Sequence, residues 1–257
     1  MTRVLVVGAA GRMGERLLRA LAASSDLRLG AALERAGHPQ LGAELAPGVK
    51  LTSDARAAAA QADVAVDFSS PASTLALLEV WESRGLPAVI GTTGIEAEGE
   101  ARIARAAERI ALVRGANFSI GAAVLADLVA EATRRLAGYE IDVLEMHHDQ
   151  KVDAPSGTAL GLARRAAEVR GQDLSQVAVF AREGITGKRD PSAIGLQSLR
   201  LGDSVGEHTV YFAGPGERIE LSHRALSRDN FAAGALRAAR WLVGRPPGVY
   251  AMADVLR

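Results

Sequence analysis

The sequence of 257 residues has no cysteine, few aromatic residues and no excess charge of either sign. Without cysteine, disulfide bridges, thiolate zinc sites, iron–sulfur clusters and thiol nucleophiles are excluded. The 30 basic residues balance the 30 acidic ones, so nothing favours nucleic acid or an anionic membrane as the main partner. No uncharged apolar stretch approaches the ~20 residues of a membrane-spanning helix, and the N-terminus lacks a signal-peptide pattern. We therefore expect a soluble, cytoplasmic protein with no membrane or nucleic-acid partner.

The composition is that of an ordered globular protein, with 48% hydrophobic and 23% charged residues. Over the first half, short apolar runs alternate with longer amphipathic segments. The predicted strands are residues 3–7, 27–33, 62–68, 87–90 and 110–113, and the predicted helices are 11–23, 71–84 and 95–109. Strands and helices that alternate at this spacing predict βαβ crossovers and a parallel sheet.

The pattern changes after about Ser119. We predict a helix over residues 119–136, a strand over 139–146 and a second helix from about Ser156. Three short strands separated by glycine-rich turns follow between residues 194 and 223, with no room for a full helix between them. This section is therefore expected to be antiparallel or mixed. A last helix is predicted from Asp229 to Val243, and residues 181–193 are predicted to form an exposed loop.

A glycine-rich turn follows the first predicted strand and opens the first helix. It reads Gly8-Ala9-Ala10-Gly11-Arg12-Met13-Gly14, which spaces the glycines as Gly-x-x-Gly-x-x-Gly. Such a turn lets the backbone approach a pyrophosphate, and the helix N-terminus adds N–H groups and a positive dipole end. Glu34 lies 20 residues beyond Gly14, where an acidic side chain can accept hydrogen bonds from the adenosine ribose. The sequence predicts a dinucleotide site.

One further residue and two further segments are placed to contact the dinucleotide. Arg35 follows Glu34 directly and could face a 2′-phosphate or stack on adenine. Glutamate favours NADH and arginine favours NADPH, so the expected cofactor is NADH, NADPH or both. The other two segments, Gly91-Thr92-Thr93 and Ala116-Asn117-Phe118-Ser119, follow the fourth and fifth strands. Ligands of such sheets bind at the carboxyl ends of the strands, so both segments can reach the nicotinamide half.

The densest polar segment runs from Glu145 to Thr158. It contains His147, His148 and Lys151, which can donate or accept protons, and then Ser156-Gly157-Thr158 at the start of a helix. Ser156 is a suitable N-cap, and the amides of Gly157 and Thr158 suit a carboxylate. The segment predicts acid catalysis on a small acidic substrate. No further histidine or cysteine lies at metal-ligand spacing, so no metal is expected.

The pattern His147-His148-x-x-Lys151-x-Asp153-x-Pro155-Ser156-Gly157-Thr158 resembles the signature of the dihydrodipicolinate reductase family. Its members are also called 4-hydroxy-tetrahydrodipicolinate reductases. The glycine turn and several shorter motifs agree with that family along nearly the whole chain. These motifs are Asp67-Phe68, Gly91-Thr92-Thr93-Gly94, Ala116-Asn117-Phe118-Ser119, Gly206-Glu207-His208, Gly216-Glu217, His223-Arg224-Ala225 and Arg228-Asp229-Asn230-Phe231-Ala232. The poorest agreement is in the loop at residues 181–193.

The resemblance implies an α/β fold. A Rossmann-like, doubly wound parallel sheet would occupy residues 1–118, completed by a C-terminal helix within 229–257. A substrate-binding and oligomerisation domain of the α+β class, with a mixed, largely open sheet, would occupy residues 119–228. The implied assembly is a homotetramer.

The implied reaction is the NAD(P)H-dependent reduction of 4-hydroxy-tetrahydrodipicolinate, a small dicarboxylate, to tetrahydrodipicolinate in diaminopimelate and lysine biosynthesis. By position, His147 resembles the family's acid–base and Lys151 its proton donor. His148, Ser156, Gly157 and Thr158 resemble its substrate contacts. The resemblance assigns the cofactor contacts to Gly8, Ala9, Ala10, Gly11, Arg12, Met13, Glu34, Arg35, Gly91, Thr92, Thr93, Ala116, Asn117, Phe118 and Ser119.

Three other readings of the sequence remain open. One is a nicotinamide-dependent dehydrogenase of similar build that acts on aspartate or homoserine, although such an enzyme does not need the His-His-Lys segment. Another is a non-catalytic protein that senses NAD(P). A third is a relative of the same fold with a shifted substrate, which fold alone does not exclude.

Overall fold

The structure is a computed structural model that describes all residues 1–257. The chain forms two compact units: unit 1 comprises Met1–Ile120 and Asp229–Arg257, and unit 2 comprises Gly121–Arg228.

The strands are β1 (Thr2–Val7), β2 (Leu27–Leu33), β3 (Glu44–Ala46), β4 (Val49–Thr52), β5 (Val64–Asp67), β6 (Ala88–Ile90), β7 (Ala111–Arg114), β8 (Glu140–His147), β9 (Ala178–Val179), β10 (Ile194–Arg200), β11 (Gly206–Gly214), β12 (Glu217–Ala225) and β13 (Gly248–Tyr250). The helices are α1 (Arg12–Ala22), α2 (Ala55–Ala60), α3 (Pro71–Arg84), α4 (Ala97–Ala106), α5 (Ile120–Arg135), α6 (Gly157–Val169), α7 (Leu174–Val177), α8 (Asp229–Leu242) and α9 (Met252–Val255). None of the helices is both long enough and apolar enough to cross a membrane.

Unit 1 is built on an eight-stranded sheet in the order β13-β7-β6-β5-β1-β2-β4-β3. All pairings are parallel except that of β3 with β4. Strands β1, β5 and β6 are apolar runs buried on both faces, as a parallel sheet covered by helices requires. The predicted Rossmann-like parallel sheet is confirmed.

The register of this sheet brings four loops together. Val7 at the end of β1 pairs with Leu33 of β2 on one side and with Asp67 of β5 on the other. Asp67 in turn pairs with Ile90 of β6. The segments that begin at Gly8, Glu34, Phe68 and Gly91 therefore leave the sheet side by side at its carboxyl edge.

The C-terminal segment differs in part from its prediction. The helix predicted from Asp229 to Val243 is confirmed as α8. The wider assignment of residues 229–257 to a C-terminal helix is wrong in extent, because α8 ends at Leu242 before Gly244, which has a φ of +80°, and the pair Pro246-Pro247. The chain then forms β13, which pairs parallel with β7, and the short helix α9. Strands β3 and β4 were also not predicted, since three or four residues are too few to show a period.

Unit 2 holds a five-stranded sheet in the order β12-β11-β8-β10-β9. Strand β8 runs parallel to β10, and β11 is antiparallel to both β8 and β12, so the predicted mixed open sheet is confirmed. Helices α5 and α6 cover one face around buried residues such as Leu125, Leu162 and Phe212. The segment 181–193 has no regular structure, yet Arg182 and Arg189 both bind the carboxylate of Asp142.

Candidate functional site

The turn between β1 and α1 is shaped by its glycines. Gly8 has a φ of +71°, a conformation that side chains with a Cβ rarely adopt. Gly14 packs so closely that a Cβ there would lie 2.3 Å from the carbonyl oxygen of Gly8. Gly11 precedes α1 and supplies no side-chain cap for its first N–H groups. The first N–H groups of α1 have no side-chain cap, and the glycines bring the helix close to the turn. Such an arrangement is suited to binding an anion.

Glu34, at the end of β2, is bonded into this turn. Its Oε2 accepts a hydrogen bond from the backbone N–H of Ala10 at 3.3 Å, and its Oε1 accepts one from Arg35 at 3.0 Å. The backbone N–H of Glu34 donates to the carbonyl of Thr52 in β4. The carboxylate predicted to bind ribose is thus fixed at the mouth of the glycine turn, with the Arg35 side chain exposed beside it.

A cavity of about 440 Å³ opens at this edge of the sheet. Its lining includes four of the predicted cofactor residues, Gly8, Gly11, Glu34 and Arg35. The remaining lining residues are Val7, Leu33, Ala36, Ser53, Ala55, Phe68, Ser69, Ser70, Ser73, Ala76 and Leu77. Sequence reasoning missed the serines, of which Ser53 lies between β4 and α2 and the other three lie between β5 and the first turn of α3. Only the register of β1 with β5 brings Ser69 beside Gly8.

A buried carboxylate joins the loops after β5 and β6. Asp67 has no exposed surface; its Oδ1 accepts hydrogen bonds from the backbone N–H and hydroxyl of Ser69, and its Oδ2 accepts one from Thr74 at 2.6 Å. The hydroxyl of Thr74 also lies 3.0 Å from that of Thr92. Burial raises the pKa of Asp67 above its usual value, although these hydrogen bonds act in the opposite direction.

The other predicted cofactor segments lie at the same edge but outside the cavity lining. The Phe68 ring fills the space at Gly91, where a Cβ would lie 2.2 Å from it, and meets the Phe118 ring edge to face at 5.5 Å. The side chain of Asn117 accepts a hydrogen bond from the N–H of Ser119. Of the remaining residues, Ala9, Thr92 and Ser119 are buried, Ala10, Met13 and Asn117 are partly buried, and Arg12, Thr93 and Ala116 are exposed.

In unit 2, Glu145 of β8 is the centre of the polar cluster. Its side chain is fully buried and is held by both terminal nitrogens of Arg200, at 2.9 and 3.0 Å. Its Oε2 lies 2.5 Å from Nδ1 of His147, and its Oε1 accepts a hydrogen bond from the N–H of Ser156. Sequence reasoning did not single out Glu145 or Arg200. The position of Glu145 two residues before His147, on the same face of the strand, is the signal that could have found it.

The pKa values in this cluster follow from burial and from these contacts. Burial acts to raise the pKa of Glu145, but its hydrogen bonds from Arg200, Ser198 and His147 lower it overall. Burial lowers the pKa of His147 despite the opposing effect of Glu145. For the almost fully buried His208, burial and the nearby charge of His147 lower the pKa to about 4.

The N-terminus of α6 is fixed to the same cluster. Ser156 caps the helix by accepting a hydrogen bond from the N–H of Ala159, and its hydroxyl lies 3.1 Å from Nε2 of His208. The His208 ring meets that of His147 edge to face at 5.3 Å. The exposed backbone of Gly157 and the partly buried Thr158 form the first turn of α6. The predicted carboxylate-binding amides therefore lie at a helix N-terminus anchored beside His147.

Lys151 and His148 lie in the loop between β8 and α6. Nζ of Lys151 donates to Asp153 at 2.7 Å, and this hydrogen bond holds the pKa of Asp153 below its usual value. The N–H of His148 donates to the carbonyl of Ser204, which ties the loop to the turn between β10 and β11. The positive charge of Lys151 acts to lower the pKa of His147.

Comparison with known proteins gives one consistent result. The family model described as dihydrodipicolinate reductase, N-terminus, matches residues 2–118, and the one described as dihydrodipicolinate reductase, C-terminus, matches residues 121–256. The 4-hydroxy-tetrahydrodipicolinate reductase of Thiobacillus denitrificans is 50% identical, over 99% of this chain and 98% of that protein. That of Anaeromyxobacter dehalogenans is 46% identical, over 100% and 98%. The solved dipicolinate-bound dihydrodipicolinate reductase from Paenisporosarcina sp. TG-14 is 24% identical, covers 99% of both chains and has a TM-score of 0.80, which shows the shared fold.

Proposed function

The chain belongs to the dihydrodipicolinate reductase family, and from that premise we propose how its own residues carry out the reaction. The protein is an NADH- or NADPH-dependent oxidoreductase that converts 4-hydroxy-tetrahydrodipicolinate to tetrahydrodipicolinate with loss of water, a step of diaminopimelate and lysine biosynthesis. We place the cofactor in unit 1 and the substrate in unit 2. The active assembly is proposed to be a cytoplasmic homotetramer.

One observation carries the placement of the substrate. The N–H of Ser156, at the start of α6, and the imidazole of His147 are both bonded to the carboxylate of Glu145. An anion-binding helix N-terminus and an acid–base group are thereby held at a fixed separation. A small dicarboxylate matches this pair, with one carboxylate on the amides of Gly157 and Thr158. Dipicolinate, found bound in the Paenisporosarcina relative, is such a dicarboxylate.

The residues of unit 1 fit a nicotinamide dinucleotide. The close approach of Gly14 to Gly8 and the uncapped start of α1 leave room and N–H groups for a pyrophosphate. The Glu34 carboxylate is proposed to accept hydrogen bonds from the adenosine ribose hydroxyls, and Arg35 lies next to Glu34. The cavity of about 440 Å³ bordered by these residues accommodates part of such a cofactor. When bound, the cofactor supplies the hydride.

The residues of unit 2 are proposed to bind the substrate and to supply the proton. His148 and the first turn of α6 are proposed to hold the substrate carboxylates, and Ser156 keeps that turn in place. The reduction needs a proton as well as a hydride, and the ammonium of Lys151 is proposed to donate it. A positioned acid of this kind contributes roughly 10²–10⁴-fold to the rate. His147 is proposed to act as acid–base beside it.

A coupled assay tests the proposal. Dihydrodipicolinate synthase, pyruvate and aspartate semialdehyde would generate the substrate, and the loss of NADH or NADPH absorbance would be followed at matched concentrations. Oxidation that depends on the synthase is the expected result, and the ratio of the two rates gives the selectivity of Glu34 and Arg35. Measurable NADH binding without oxidation would instead support a relative with a shifted substrate or a sensor.

A further inference from the structure

The hydrogen-bonding capacity of the Glu145 carboxylate is fully used. Oε1 accepts from Arg200 and from the N–H of Ser156, while Oε2 accepts from Arg200 and faces Nδ1 of His147 at 2.5 Å. These four contacts, together with the side-chain hydrogen bond from Ser198, leave no lone pair of the carboxylate without a partner. Arg200 is fixed in its turn by a hydrogen bond from its second terminal nitrogen to the carbonyl of Asp153.

This arrangement determines which ring nitrogen of His147 carries the proton. An ionised carboxylate can only accept a hydrogen bond, and the bidentate contact with Arg200 keeps Glu145 ionised. Nδ1 of a neutral His147 must therefore be the protonated nitrogen, and Nε2 is left as the acceptor. Nε2 lies against Gly206, where a Cβ would come within 2.9 Å of it. A side chain at position 206 would therefore collide with this nitrogen, and the glycine avoids that collision.

Several other charged or titratable groups face His147. Lys151, from the following loop, and Arg200, from β10, both disfavour a second proton on the ring. His208, from β11, packs against the ring and is neutral at pH 7 because burial lowers its pKa to about 4. Glu145 is thus the one group among these that favours the imidazolium.

We propose that Glu145 and Arg200 form a positioning pair that holds His147 in its Nδ1-protonated form with Nε2 directed to the reacting substrate. The inference rests on the proposed function, in which His147 is the acid–base. In this arrangement, Glu145 fixes the orientation and tautomer of the ring. Arg200 keeps Glu145 ionised and limits how strongly it attracts a proton to His147. Neither residue is proposed to contact the substrate.

The tautomer can be measured without any turnover. The chain has 5 histidines, so ¹⁵N-histidine labelling of the full chain gives few imidazole signals, and His147→Gln identifies those of His147. The expected result is a neutral His147 with the proton on Nδ1. A proton on Nε2, or rapid exchange between the two tautomers in the wild-type protein, would overturn the proposal. This readout remains decisive even if the protein reduces a different substrate.

The variant Glu145→Gln tests the effect on catalysis. It removes the charge and hydrogen bond that favour the imidazolium while Lys151 and Arg200 remain, so the pKa of His147 falls and the corresponding limb of the pH–rate profile moves to lower pH. We expect kcat to fall at least about tenfold, as when the group that orients a catalytic histidine is altered. The KM for NADH should not change. Glu220→Gln, which alters an exposed ion-paired glutamate of the same sheet, is the matched control and should leave both unchanged.

A second variant separates positioning from stability. Glu145→Gln leaves the charge of Arg200 unpaired, which destabilises the fold. The double variant Glu145→Gln with Arg200→Gln removes both charges and is expected to regain stability, yet to keep the low kcat. Its pH profile should stay shifted to lower pH, but less than in the single variant, because Arg200 no longer disfavours the imidazolium. If kcat recovered together with thermal stability, Glu145 and Arg200 would act only on the stability of the fold, which would contradict the proposal.

Discussion

Gly14 in the first turn of α1 lies against the carbonyl oxygen of Gly8, and a methyl group at position 14 would come within 2.3 Å of that oxygen. We therefore predict that Gly14→Ala forces α1 away from the turn, destabilises unit 1 by about 1–3 kcal/mol and weakens NADH binding. Thermal unfolding and fluorescence titration with NADH measure both effects. Gly161→Ala is the matched control, because Gly161 in α6 has nothing near its Cβ position. It should be neutral or stabilising by up to about 1 kcal/mol.

Glu34 is predicted to act on cofactor affinity alone. Its carboxylate accepts hydrogen bonds from Ala10 and Arg35, and in the proposed complex also from the ribose. Glu34→Ala should raise the KM for NADH about tenfold or more, since hydrogen bonds to a charged group contribute about 1.5–3 kcal/mol. The kcat at saturating NADH should change little. Glu108→Ala, at an exposed position of unit 1, serves as the control. A large loss of kcat in Glu34→Ala would assign Glu34 a different role.

Asp67 is predicted to make stability depend on pH. Because burial raises the pKa of Asp67, the folded chain keeps this proton over a pH range in which the unfolded chain has lost it. The contribution of Asp67 to the free energy of unfolding therefore falls as pH rises from about 4 through the folded-state pKa. Asp67→Asn cannot titrate. The stability of Asp67→Asn relative to the wild type should therefore increase between pH 5 and pH 8, as measured by urea unfolding. A stability difference that does not depend on pH would contradict a buried Asp67 that titrates.

Lys151 is predicted to act on turnover rather than on cofactor binding. Its ammonium is held by Asp153 in the loop between β8 and α6, and the proposed cofactor contacts are residues of unit 1. Lys151→Ala should lower kcat by roughly 10²–10⁴-fold. The dissociation constant for NADH, measured by calorimetry, should stay unchanged. The control is Lys50→Ala, at an exposed position on β4. Unchanged turnover in Lys151→Ala would exclude it as the proton donor.

Much of the fold could be predicted from local pattern. Strands β1, β2, β5, β6 and β7 are compact apolar runs, and the glycine turn between β1 and α1, together with Glu34 after β2, predicts a dinucleotide site. Strands β3, β4, β9 and β13 have only two to four residues each, and their pairing with longer neighbours, rather than any pattern of their own, determines their conformation. The same limit explains why β13 and the short helix α9, which follow α8, were not predicted.

The candidate site could be predicted only in part, for a similar reason. The segment from His147 to Thr158 is continuous, so its polar groups are visible in the sequence. Arg200 and His208 reach it from β10 and β11, and only the register of these strands with β8 places them beside Glu145 and His147. Sequence alone does not give that register. Arg200, which completes the arrangement around Glu145, was therefore not singled out.

The most direct test of the account follows the hydrogen itself. The protein would be supplied with NADH deuterated at the transferable position of the nicotinamide and with substrate made by the synthase, and the product would be analysed by mass spectrometry. The account predicts tetrahydrodipicolinate that carries the deuterium, formed at the rate of NADH oxidation. Product without deuterium, or no product despite tight binding of NADH, would contradict the assignment of this chain as the reductase.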